Sequence, residues 1–141
     1  MVKYLRDISL KNKIAVVTGA TKGIGRSTSV AMHQVGAFIV AIGRNTKDLK
    51  SLKKKLKKKI RSIECDVNDY EKISKIIKSL KRIDILVNNA GTNLPEPFLK
   101  VKKTSLEMLL NTNTKAAFNM AKLCTDKMLK LKNRKKIGGS I

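Results

Sequence analysis

With 141 residues the chain is long enough for one domain with a real core, since domains of about 150 residues bury roughly 70% of their unfolded surface, and it is too short for two. Its 32 Lys and Arg against 10 Asp and Glu give a formal charge of +22, which raises nucleic acid as a partner. The kind of residue argues against that partner: twenty-six of the cations are Lys, with three Phe, two Tyr and no Trp, whereas base recognition draws on Arg forks and aromatic stacking.

In chain order, the β-branched run at 14–17, closed by Thr-Gly, predicts a buried strand. A helix is expected over 26–34, stopped by Gly36, and a second buried strand over 38–42. The apolar run around that strand, 35–43, is far short of the roughly 20 residues that span a bilayer, and the first ten residues contain no signal-like apolar stretch. A soluble, cytoplasmic protein without a membrane partner is expected. Residues 47–61 carry nine cations, yet Leu49, Leu52, Leu56 and Ile60 recur at helical spacing, so a helix with a solvated Lys face is expected. An anionic partner on that face is the competing reading. A third strand at 63–67, a helix at 69–80 with Ile73, Ile76, Ile77 and Leu80 inward, and a fourth strand at 83–87 follow. A loop at 88–97 then leads to a long helix from 104 to about 131, capped by Thr104 or Ser105. The last residues, 136–141, look like the entrance to a fifth strand. This alternation implies an α/β fold, an open parallel sheet covered by helices, because parallel neighbours need crossover connections.

Three glycines in VTGATKGIG, residues 17–25, follow the first strand and precede its helix, the context in which such a pattern signals a phosphate-binding loop. Gly19 suits a tight turn, Gly23 close approach of backbone to a pyrophosphate, and Gly25 packing of helix on strand. Free amides at the helix start would face the anion. At the end of the second strand the sequence reads Ile42-Gly43-Arg44-Asn45, without the acid that bonds the ribose hydroxyls of NAD. Arg44 can fork onto a 2′-phosphate and Lys22 adds a second positive charge, so NADP is favoured over NAD as cofactor.

TGATKGIG, together with NNAG at 88–91, Cys65-Asp66-Val67 and NTKAAF at 113–118, resembles the short-chain dehydrogenase/reductase family from about residue 10 to the end. The loop NNAGTNLPEPF looks most like the β-ketoacyl carrier-protein reductases and the sugar and polyol dehydrogenases near them. The resemblance implies a Rossmann-like doubly wound sheet and an NADP-dependent carbonyl reductase or alcohol dehydrogenase. In that reading Gly19, Thr21, Lys22, Gly23, Ile24 and Gly25 bind the adenosine phosphates, Asp66 and Val67 flank the adenine, and Asn89, Ala90 and Gly91 line the way to the nicotinamide. Asn113 matches the family asparagine of the proton relay, whereas Asn111 reads as a helix-surface residue.

The family acid is a Tyr in a Tyr-x-x-x-Lys turn, assisted by a Ser, and neither tyrosine here stands in that pattern: Tyr4 precedes the first strand, and Tyr70 has Ser74 four residues later, with Lys75 one place too far. Ser140 opens the expected fifth strand and reads as structural. The sequence therefore predicts an incomplete NAD(P)-binding domain over 1–141 that binds cofactor without catalysis, a fragment or truncated product. A non-catalytic nucleotide-binding or basic interaction module is the alternative. An open edge at the fourth strand and an uncovered long helix predict marginal stability or a homo-oligomer. Cys65 and Cys124 read as reduced structural thiols, and His33, the only histidine, as a packing or surface residue with no metal site around it.

Overall fold

The computed structural model describes residues 9–131 and 138–141. Tyr4 and the expected start of the fifth strand at 136–137 lie outside them. Strands β1 (Ile14–Thr18), β2 (Phe38–Gly43), β3 (Ile60–Glu64) and β4 (Ile85–Val87) form one sheet in the order β3-β2-β1-β4. All three pairings are parallel. Helices α1 (Gly23–Gln34), α2 (Thr46–Leu56) and α3 (Tyr70–Ser79) make the crossovers. After β4 come a 3-10 turn (Phe98–Lys100), α4 (Lys103–Leu110), a π-turn (Asn111–Lys115) and α5 (Ala116–Leu129). Beyond β4 the ladder continues as a parallel bridge between Ile85 and Ser140, with Leu86 N–H donating to the Ser140 carbonyl. This isolated bridge stands where the sequence placed the entrance to a fifth strand, while the named strands of the sheet remain four.

Side chains alternate along each strand, and the sheet divides the core into two layers. Val16, Val40, Ile42 and Leu86 meet Ile73, Ile77, Met120 and Cys124 under α3 and α5. Ala15, Val17, Ile39 and Ala41 meet Leu49, Leu52 and Leu56 of α2 on the other face. Both thiols are buried in the first layer, and burial pushes the Cys124 thiol up to about 12.

Three expectations are corrected. The Lys-rich helix ends at Leu56, not Arg61: Lys57 and Lys59 take left-handed φ of 60° and 56°, and the chain reverses so that the Lys59 carbonyl can accept from Ile39 N–H. Ile60 therefore leaves the helical stripe and starts β3, three residues before the strand expected at 63–67. The fourth strand shortens to Ile85–Val87; just before it the buried Asp84 carboxylate accepts from Ile14 N–H at 2.8 Å and holds Arg82 through two bonds of 2.8 and 2.9 Å. The long helix is interrupted by the π-turn and uncapped by Thr104 or Ser105. Instead Glu96 reaches its first turn, accepting from Lys102 N–H and from the Ser105 hydroxyl.

Candidate dinucleotide site

A cavity of about 850 Å³ opens at the carboxyl ends of the strands, between the glycine loop, the β2–α2 turn, the end of β3 and the loop after β4. This is the crevice where open α/β sheets bind ligands. Gly19, Thr21, Lys22, Arg44, Asp66, Val67, Asn89, Ala90 and Gly91 all line it, so nine positions named from the sequence meet in one place. Gly23, Ile24 and Gly25 do not line it: Gly23 starts α1, Ile24 is exposed and Gly25 is buried beneath the loop.

The loop's shape follows from close approach. Gly19 sits at φ +63° with its Cα side against Asn89 and the Ala90 backbone, where a Cβ would meet Ala90 Cα at 2.9 Å. A Cβ on Gly25 would collide with the Asn89 amide and come within 2.5 Å of the Gly19 carbonyl. Gly25 therefore packs the helix against the loops, not against the strand alone. Lys22 stands at the head of α1 in extended conformation, and no side chain caps the helix there. The first-turn amides thus have no side-chain cap.

The residue that ties the two loops together, Thr18, escaped the sequence reading. Its buried Oγ1 accepts from the N–H groups of Asn89 and Ala90, both at 3.0 Å, and donates to the Val87 carbonyl at 3.3 Å. Asn89 Nδ2 returns bonds to the carbonyls of Thr18 (3.0 Å) and Gly19 (3.3 Å). Thr18→Val should strand two amides, at a cost of about 1–3 kcal/mol for each, whereas Thr18→Ser, which keeps the hydroxyl and loses one buried methyl, should cost only about 1 kcal/mol. Urea unfolding of the two variants checks this, and equal midpoints would contradict it.

At the outer rim Arg44 extends into solvent, 76% exposed, with its guanidinium 3.6 Å from the Asp66 carboxylate. The end of β2 itself supplies no acid, but β3 lies beside it and brings Asp66 to the same rim. Glu64, also from β3, accepts from the Thr46 hydroxyl. An ion pair this exposed is worth about 0–1 kcal/mol, so Asp66 holds Arg44 only weakly. At the inner end Asn113 lies on the π-turn, outside the cavity lining. Its amide is engaged at both ends with Thr92, accepting from the N–H and donating to the carbonyl at 2.9 Å each. A π-turn of this kind often marks a functional position; here it brings Asn113 against the loop that follows Gly91. Tyr70 opens α3, half exposed and away from the cavity lining.

The family model described as short chain dehydrogenase matches residues 13–141. The chain belongs to the short-chain dehydrogenase family. L-xylulose reductase of Mesocricetus auratus is 37% identical over 123 residues, covering 87% of this chain and 50% of that protein. The 3-oxoacyl-(acyl-carrier-protein) reductase of Thermotoga maritima is 31% identical over 131 residues, covering 88% of this chain and 53% of that protein. Among solved structures, the closed form of serine dehydrogenase complexed with NADP+ superimposes with a TM-score of 0.78 at 34% identity, covering 83% of this chain and 49% of the other. The chain spans about half the length of the curated relatives it matches. It has the Rossmann-like fold of the short-chain dehydrogenase family, whose members bind a nicotinamide cofactor. Among the described residues, no helix is long and apolar enough to cross a membrane.

Proposed function

We propose that this short-chain dehydrogenase chain binds NADP in the cavity, as the cofactor half of a carbonyl reductase or alcohol dehydrogenase. One observation supports this above the others: Lys22, at the head of α1, and Arg44, two cations without an acid from β2 between them, line the same cavity as Gly19. An uncapped helix start suits the pyrophosphate, and an exposed guanidinium held only by a 3.6 Å ion pair with Asp66 suits a ribose 2′-phosphate. Asp66 and Val67 would flank the adenine, and Asn89, Ala90 and Gly91 would lead toward the nicotinamide. Gly23 and Ile24 would offer backbone amides. Asn113 would hold a water of the proton relay, at the end of the site where the hydride acceptor lies.

When bound, the dinucleotide supplies a hydride to a carbonyl carbon, and the alkoxide that forms needs a proton from a positioned acid. The reductase names among the relatives favour a ketone of the sugar or β-ketoacyl kind as that carbonyl. These 141 residues hold no Tyr-x-x-x-Lys, so the chain by itself is read as binding the cofactor without turning it over. The reading extends to assembly. Phe118 and Leu129 on α5 and Leu106, Met108 and Leu110 on α4 are exposed, and exposed apolar side chains in this number favour self-association.

Titration of the 141-residue chain with NADPH and NADH tests the cofactor reading, with an NADPH-oxidation assay on the same sample. Saturable binding of both, tighter for NADPH and without oxidation in the presence of a ketone, is expected. Equal affinities would overturn the NADP assignment, and turnover would overturn the inactivity.

A further inference from the structure

Arg26 belongs to α1 and does not line the cavity. Its guanidinium is nevertheless engaged on three sides. Nη1 donates to the Thr21 carbonyl of the glycine loop at 3.4 Å and to the Asp48 carbonyl of α2 at 3.1 Å, while Nη2 donates to Ser51 Oγ at 3.0 Å. Asp48 is itself tied to the cap of α2, its N–H donating to Asn45 Oδ1 at 3.0 Å. On the other side of the turn, Ala20 N–H donates to the Ile42 carbonyl, and a Cβ on Gly43 would meet Thr21 Cγ2 at 2.6 Å. The segment between Gly43 and Asp48 is therefore fastened to the glycine loop at both ends. Arg44 lies within it.

We propose that Arg26 is a positioning residue for the ribose 2′ substituent: by clamping α2 to the glycine loop it fixes the backbone from which Arg44 reaches the ligand. The proposal rests on the NADP reading above. Two features give it physical content. Arg44 has no strong side-chain partner, being 76% exposed with one carboxylate at 3.6 Å, so its placement comes from its backbone. The acceptors of Arg26 are two carbonyls and a hydroxyl, not carboxylates, so the planar fork that satisfies them together matters and the charge alone does not. A Lys ammonium is a compact point charge on a flexible stem and cannot reproduce that fork. NADH lacks the 2′-phosphate and makes no call on Arg44, so loosening the clamp should weaken the two cofactors unequally.

The test is titration of NADPH and NADH into the wild-type chain, Arg26→Lys, Arg26→Ala and Ser51→Ala, each with a thermal melt. NADPH affinity should fall roughly tenfold in both Arg26 variants, the scale of one charge-assisted hydrogen bond, with NADH affinity changed less than about twofold. Ser51→Ala, which removes one acceptor at an exposed position, should move the ratio the same way by a smaller factor, and it carries the test if the Arg26 variants do not fold. A ratio unchanged in Arg26→Lys or Ser51→Ala, or NADPH and NADH affinities falling in step, would overturn the clamp while leaving the NADP reading standing. Equal affinities in the wild type would overturn the NADP reading, and the clamp with it.

Discussion

Gly25→Ala is expected to abolish dinucleotide binding and to lower the stability of the fold. The added methyl group would press on the Asn89 amide and on the Gly19 carbonyl at 2.5 Å. Neither can yield freely. Asn89 Nδ2 is bonded to the Thr18 and Gly19 carbonyls, and Asn89 N–H is held by Thr18. Overpacking of this kind costs typically 1–3 kcal/mol, a large share of the roughly 5–15 kcal/mol that holds a domain folded. To relieve the clash, α1 must move away from the loop, which takes its first-turn amides out of register with the cavity. A thermal melt and an NADPH titration of the variant check both effects. Wild-type affinity in Gly25→Ala would show that the loop adapts and that its close packing is not what shapes the site.

Arg44→Asp carries the second large effect, on selectivity. Replacing the cation removes charge-assisted bonds worth about 1.5–3 kcal/mol, so NADPH affinity should fall by roughly ten- to a hundredfold. The new carboxylate stands at the end of the second strand, where an acid bonds ribose hydroxyls, so NADH affinity should hold or rise. A like charge beside Asp66, whose carboxylate is 3.6 Å from the Arg44 guanidinium in the wild type, further disfavours an incoming phosphate. Parallel loss of both cofactors would mean that Arg44 serves the adenosine in general and does not read the 2′ position.

What the sequence made legible was local. The glycine spacing, the β-branched strands and the stripes of α2 and α3 each lie within one stretch of chain, and all appear in the structure with shifts of a few residues. The features that fix the site's geometry link residues far apart in sequence. Thr18 meets Asn89 and Ala90 across the sheet, Asp84 reaches Ile14, and Arg26 reaches Asp48 and Ser51. A lone Thr, Asp or Arg carries no signal of such a partner. The end of α2 was hidden for a related reason: Lys57 and Lys59 in left-handed conformations are not the Gly or Asn that normally announce such a stop. The π-turn at Asn111–Lys115 contains neither Pro nor Gly, and its surroundings keep helical spacing on both sides. Tertiary bonding of Asn113 to Thr92 accompanies it, and no periodicity reports that.

Whether the cavity between the glycine loop and the Asn89 loop takes NADP is decided by following backbone amide resonances of the 141-residue chain during titration with NADPH. Saturable shifts are expected at Thr21, Lys22, Gly23 and Ile24, at Arg44 and Asn45, and at Asn89 to Gly91, complete at one equivalent, with the Lys-rich face of α2 undisturbed. Shifts confined to Lys50, Lys53 and Lys54 and lost on adding salt, or no saturable change in the glycine loop, would contradict the NADP reading.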